Sequence, residues 1–221
     1  MYMPSQFEES RPEVLHQLIQ AHPLGLLVTL DDAGLNGNHI PFEIDAAPGP
    51  LGTLRGHVAR GNPVWRAHGH PSLPGIEAMV VFQGPSLYIS PAWYPSKAGT
   101  GKVVPTYNYI VVHGYGQLRS IDDPVWLRSF LERLTDRHES QRKNRDSGAV
   151  PWAVGDAPDD YVATQLKAIV GIELTLTRLI GKWKISQNRL PEDRAGVARH
   201  LREASGDDAS EMANWMPDAD R

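Results

Sequence analysis

The spacing of hydrophobic positions changes character along the chain. Val14, Leu15, Leu18 and Ile19 recur at helical spacing behind Ser10-Arg11-Pro12-Glu13. Serine there can cap a helix, proline suits the first turn and Glu13 occupies the capping-box position, so a helix is predicted that ends near His22, before Pro23. Strand signals follow. Leu24 to Leu30 is a short apolar run, and Asp31-Asp32-Ala33-Gly34 reads as the turn of a hairpin. Asn38 to Asp45 and Leu51 to Val58 are the next strand candidates, and Ala59 to His68 reads as a short helix interrupted by Pro63. Ile76 to Gln83 and Leu87 to Ser90 read as strands flanking Gly84-Pro85. Val103 to Leu118 is a longer strand, rich in β-branched and aromatic residues.

Helices dominate the second half. Trp126, Leu127, Phe130, Leu131 and Leu134 line one face of a segment opened by Asp123-Pro124, and Pro158 to Ala168 predicts a shorter helix. From Val170 to Ile180, Glu173, Thr175 and Thr177 alternate with Ile172, Leu174 and Leu176, the pattern of a half-buried strand. Pro191-Glu192-Asp193 opens a last helix with acids in its first turn. Five to seven strands with helices at the edges predict a mainly β, α+β fold on an antiparallel barrel or sheet. The nearly helix-free middle argues against βαβ repeats. The expected division is one domain over 1–203 and an acidic, disordered tail over 204–221.

Composition narrows the chemistry. The 221 residues include 20 glycines, 18 prolines and no cysteine, which removes disulfides, thiolate metal sites and cysteine nucleophiles. Glycine and proline in that excess imply many turns. The longest apolar runs are far too short to span a membrane, and the N-terminus lacks the pattern of a signal peptide, so a soluble, cytoplasmic protein is expected. The net charge of −4 is concentrated from residue 203 onward, where Glu203, Asp207, Asp208, Glu211, Asp218 and Asp220 face only Arg221. The remaining body is near neutral, which is not the footprint of a DNA-binding domain.

Familiar motifs fail. Gly99-Thr100-Gly101-Lys102 lacks the first glycine and the Ser/Thr of a phosphate loop, and Gly114-Tyr115-Gly116 lacks the third glycine of a dinucleotide fingerprint. His68 and His70 have no third ligand nearby, so no metal site is expected.

Three polar segments survive. Asn38-His39-Ile40-Pro41-Phe42 and Gly56-His57-Val58-Ala59-Arg60-Gly61-Asn62-Pro63 combine a strand end, a guanidinium and a helix start, which suits a phosphate or simply terminates a strand. Ser90-Pro91-Ala92-Trp93-Tyr94-Pro95-Ser96-Lys97, running on to Thr106-Tyr107-Asn108-Tyr109, offers aromatic faces beside polar groups, either for a planar ring or as a packed turn. Gly181-Lys182-Trp183-Lys184-Ile185-Ser186-Gln187-Asn188-Arg189 could hold an anion or be a solvated strand end.

Together with MYMPSQFEESRPEVL, HPLGLLVT, NHIPFEID, VFQGPSLYISPAWYPSK, GKVVPTYNYIVVHGYG, LTDRHE, PWAVGDAP and LKAIVGIEL, these segments resemble the PaiB-like family of FMN-binding negative transcriptional regulators, over about residues 1–200. The resemblance implies an antiparallel split β-barrel of the FMN-binding type, related to pyridoxamine-phosphate-oxidase-like proteins, with FMN at a homodimer interface. It implies that the GHVARGNP segment faces the FMN phosphate through His57, Arg60 and Asn62, with Asn38 and His39 near the ribityl chain or ring. Trp93, Tyr94, Lys97, Thr106 and Asn108 match the central motif, and Lys184, Gln187 and Arg189 the last one. Gly61 stands where the family commonly has alanine and Tyr107 where it has tryptophan; an aromatic face survives at the second.

The resemblance implies a regulator, with DNA or a transcription partner as target; the alternative is a flavin-dependent oxidoreductase. No residue stands out as a catalytic acid or base, since flavin chemistry belongs largely to the cofactor.

Overall fold

The computed structural model describes residues 1–31, 34–47, 49–66, 75–145 and 148–216. The strands are β1 (Glu8–Glu9), β2 (Leu24–Asp31), β3 (Gly34–Pro41), β4 (Glu43–Asp45), β5 (Thr53–Ala59), β6 (Ile76–Ile89), β7 (Thr106–Ile121) and β8 (Ile169–Lys184). The helices are α1 (Pro12–Ala21), α2 (Lys97–Thr100), α3 (Pro124–Arg145), α4 (Asp159–Lys167), α5 (Pro191–Glu203) and α6 (Asp207–Trp215). The eight strands hydrogen-bond in the order β3-β2-β6-β7-β8-β5-β4, with β1 added to β8, and the sheet does not close on itself. This is the antiparallel split-barrel architecture. No helix among the described residues is long and apolar enough to cross a membrane.

The chain forms two compact units. One comprises Met1–His22, Val81–His113 and Leu179–Arg221; the other Pro23–Val80 and Gly114–Arg178. In the first, Leu15, Leu18 and Ile19 of α1, Phe82 and Ile89 of β6, Ile110 of β7 and Leu201 of α5 are fully buried. In the second, Leu54, Leu118, Val170, Ile172 and Leu174 are buried from strands, with Leu127 and Phe130 from α3.

Several local expectations change. Helix α1 is capped at Arg11 rather than Ser10, and the Glu9 carboxylate accepts bonds from the Arg11 backbone N–H and Nε. The helix expected over Ala59 to His68 is a single 3-10 turn over Pro63–Trp65, while 67–74, and with them His68 and His70, lie outside the described residues. The two strands expected around Gly84-Pro85 are one strand. Gly84 is there for proximity, since a Cβ would fall 2.9 Å from the Leu18 side chain. The glycine excess is therefore partly a packing requirement inside strands. A Cβ at Gly116 would meet the Thr175 carbonyl oxygen at 2.0 Å, and one at Gly171 the Trp126 ring at 2.4 Å.

The disorder expected from 204 onward is overturned for 207–216. Ala209, Met212 and Ala213 recur at helical spacing on the buried side of α6, with Met216 buried just past its end, an amphipathic stripe masked by the acidic composition around it. The helix is tied down by a 2.8 Å contact between His22 Nε2 and Glu211 Oε1 and by the edge-on packing of Trp215 and Trp183, ring centroids 5.5 Å apart. Residues 217–221 lie outside the described residues.

Strand β8 also departs from simple alternation. Thr175 and Thr177 are exposed, but Glu173 is only 4% exposed. It pairs directly across from Arg55 on β5, whose Nε donates to its carboxylate at 2.8 Å, while Arg119 of β7 donates to the other oxygen. Arg55 also reaches Asp45 at 2.5 Å. A carboxylate between two guanidiniums keeps its charge inside a sheet, because each lost water bond is replaced by a charged donor.

Candidate functional site

In the unit containing β5, the GHVARGNP segment forms the strand end and the turn after it. Asn62 accepts a 3.0 Å bond from the Val64 N–H, capping the Pro63–Trp65 turn, and donates at 2.7 Å to Asn38 Oδ1. Asn38 in turn donates to Asn36 at 3.0 Å. The two asparagines are thus brought together, and much of their polar capacity is spent on the turn. His39 is exposed on β3. The His57 ring stands edge-on to Phe130 at 5.9 Å, with its buried Nδ1 unpartnered; burial lowers its pKa and favours the neutral form.

Arg60 has a structural partner on every guanidinium nitrogen. Nε donates to the Lys167 carbonyl at 2.7 Å, Nη1 to Asp122 at 2.9 Å, and Nη2 to Asp122 at 2.6 Å and the Ile169 carbonyl at 3.0 Å. Its hydrogen bonds to Asp122 hold that carboxyl below the usual carboxylate range. The guanidinium terminates α4 and joins it to the start of β7's following loop. An anion at this position would meet a charge that Asp122 already neutralises.

The other unit assembles the remaining candidates. The Lys182-Trp183-Lys184 stretch ends β8, and residues 182 and 184 share a face because side chains alternate along a strand. Lys184 Nζ donates to Thr106 Oγ1 and to the Tyr107 carbonyl. Lys182 is buried, donates to the Tyr2 carbonyl at 3.0 Å, and lies over the Tyr109 ring at 5.3 Å. Arg189 lies over the Tyr94 ring at 5.0 Å. Among the described residues, no carboxylate lies within ion-pair distance of any of the three. Burial lowers the Lys184 pKa, and the positive charges of Arg189 and Lys182 lower it further. A lysine whose charge is disfavoured by two neighbouring cations, without an acid to relieve it, is chemically suited to an anion.

Two amides from the last two motifs build this turn instead of facing outward. Asn108 is 1% exposed and exchanges hydrogen bonds with Ser186 at 3.0 and 3.2 Å. Ser186 is left-handed, with φ 67°, a conformation that costs a non-glycine residue energy and needs such a partner. Gln187 folds back on its own backbone, accepting from the Ile185 N–H at 2.8 Å and donating to the Trp183 carbonyl. Together they fix the path between Lys184 and Arg189.

The sequence reading missed the support that α5 gives the aromatic loop. Asp193, buried in the first turn of α5, accepts from the Ser96 N–H at 3.1 Å and from its hydroxyl at 2.8 Å. A Cβ at Gly196 would fall 2.2 Å from the Trp93 carbonyl oxygen, and His200 stacks on the Trp93 indole at 5.3 Å. Trp93 therefore packs against α5, Tyr94 is buried, and Lys97 is exposed on α2. The signal for this was available only as an acid in a helix's first turn, which the helix dipole alone explains. Asp193→Asn removes a charged acceptor from two donors. It is expected to lower stability by about 1–3 kcal/mol and to raise exchange of the Ser96 amide, measured by thermal unfolding and hydrogen exchange.

The fold resembles the flavocytochrome Anf3 from Azotobacter vinelandii, with a TM-score of 0.55 at 12% identity, covering 80% of this chain and 69% of that one. It also resembles the FAD and heme binding protein from Mycobacterium smegmatis, with a TM-score of 0.54 at 17% identity, covering 80% and 73%. In sequence, the chain is 36% identical to the uncharacterized protein AN0679 of Emericella nidulans, covering 97% of this chain and 95% of the relative. It is 30% identical to the protease synthase and sporulation protein PAI 2 of Bacillus subtilis, covering 99% and 97%. The model of the family described as "Putative FMN-binding domain" matches residues 1–178, and the chain belongs to that family.

Proposed function

We propose that this chain binds FMN and serves as a PaiB-like regulatory flavoprotein, with the phosphate held by Lys184 and Arg189. The observation that carries the reading is the cation cluster of Lys182, Lys184 and Arg189 without a carboxylate partner among the described residues. Its donor set fits the group. A phosphate needs cations not already neutralised, and a planar ring needs an accessible aromatic face; Tyr107 and Tyr88 are 57% and 50% exposed, with ring centroids 5.9 Å apart. When bound, FMN supplies reversible electron transfer. The chain's own residues hold its anion and shield its ring.

Arg60 takes a structural role in this reading, because its donors are committed to Asp122 and to backbone carbonyls. The regulatory part is supported by the PAI 2 relative, whose name ties that protein to protease synthesis and sporulation. A homodimer in the cytoplasm is the corresponding assembly. With a near-neutral body, action through a protein partner fits better than direct contact with DNA.

Flavin fluorescence titration tests the assignment. Saturable binding of one FMN per chain is expected, with affinity retained within about threefold in Arg60→Ala. A loss of tenfold or more in that variant, about 1.4 kcal/mol, returns the phosphate to the GHVARGNP segment.

A further inference from the structure

The PWAVGDAP segment takes no part in the flavin reading, yet it walls one side of a half-open pocket of about 220 Å³ against α3 and α4 within one unit. Leu131, Val154, Val162 and Leu166 supply aliphatic walls, while the half-exposed rings of Trp152 and Tyr161 line the same space. Among the described residues, no lining residue carries a charge. The polar groups on the lining side chains are the Thr135 and Tyr161 hydroxyls, the Gln165 amide and the Trp152 indole N–H.

The wall bearing Trp152 is held by bonds that need no ligand. The Trp152 N–H donates to Glu139 of α3 at 3.0 Å, and Arg142 joins that carboxylate to the Val150 carbonyl at 2.7 and 2.8 Å. Asp156 closes the loop onto the Ala153 N–H at 2.9 Å. Charges near the rim are therefore paired with one another, and the pocket is already shaped.

Size and lining select the occupant. Pockets that take drug-sized ligands span about 300–1,000 Å³, more than this space offers. A dry aliphatic cavity of about 150 Å³ takes up benzene, so the volume here suits one ring or a fused pair. The aromatic residues favour an aromatic guest through offset or edge-on packing, and a single hydroxyl or N–H on that guest can be met by Thr135 or Gln165. A carboxylate seated among these walls would lose its water with no cation among the described lining residues to receive it.

We propose that this pocket is a binding site for a small uncharged aromatic molecule with one hydrogen-bonding group, of the size of a phenol or an indole. Calorimetric titration with indole, and with benzoate as the charged control, tests this on the full chain. Saturable indole binding with a submillimolar Kd is expected, with benzoate at least tenfold weaker. Ala157→Leu, which fills the pocket from a half-buried position, is expected to weaken indole at least tenfold while preserving the melting temperature and FMN affinity. Tyr161→Ala, at an exposed rim position, is expected to weaken indole severalfold without unfolding the chain. Absence of saturable indole binding, equal binding of benzoate, or unchanged indole affinity in both variants overturns the proposal.

Discussion

Glu173→Gln is expected to be among the most damaging single substitutions, lowering stability by about 3–5 kcal/mol. The glutamate is buried and bonded to Arg55 and Arg119. Breaking a buried pair from one side costs this much because the partner charge stays where it was. Arg55 would keep Asp45, but its Nε would face an amide rather than a carboxylate. For a chain of this size, the melting temperature should fall by roughly 6–20 °C. The same carboxylate gives stability a pH dependence. Burial works to raise its pKa, but the hydrogen bonds and charges of Arg55 and Arg119 outweigh it, and the group is held below the ordinary glutamate range. A lowered folded-state pKa contributes stability that is present above the unfolded value and lost as pH falls through the folded one. Wild type should therefore lose more stability than Glu173→Gln between neutral and strongly acidic pH, as measured by denaturant unfolding across that range.

The double variant Lys184→Ala, Arg189→Ala is expected to lower FMN affinity by about 100-fold or more. A charge-assisted bond to a phosphate contributes about 1.5–3 kcal/mol, and each 1.4 kcal/mol is tenfold in Kd. Stability should move little, within about 3 °C in melting temperature, because neither cation has an acid partner to strand. The pH dependence carries a distinct sign. Burial, then Arg189 and Lys182, push the Lys184 ammonium below the ordinary lysine range, and a bound anion favours its charged form. FMN binding should then take up a proton as pH rises through the depressed value, with affinity falling at pH values where a free lysine would still be charged. Lys184→Ala should remove that slope. A purely structural lysine would leave the slope in place.

The fold was largely legible because its periodicities are strong. The apolar face from Trp126 to Leu134 marks α3, and β-branched runs mark the strands that order the sheet. What escaped the sequence was contact made at long range. Glu173 looks like a solvent-facing residue of an alternating strand, and only the register of β5 against β8 places Arg55 opposite it. Gly84 reads as a break between two strands, and Gly116 and Gly171 as ordinary positions inside expected strands, whereas each leaves room for a neighbour that lies far away along the chain. The acidic composition after residue 204 hid the apolar stripe of α6. In the candidate site, the cations of GKWKISQNR were visible, but their lack of acid partners was not. Arg60 looked like a free guanidinium because nothing in its own segment reveals Asp122, 62 residues away.

The most direct test of the account compares FMN with riboflavin, which lacks the phosphate, in wild type and in the Lys184→Ala, Arg189→Ala double variant. If those two cations hold the phosphate, wild type binds FMN about 100-fold or more tighter than riboflavin, and the ratio falls close to one in the double variant. Equal affinity for the two flavins in wild type, or a ratio that survives loss of both cations, contradicts the assignment.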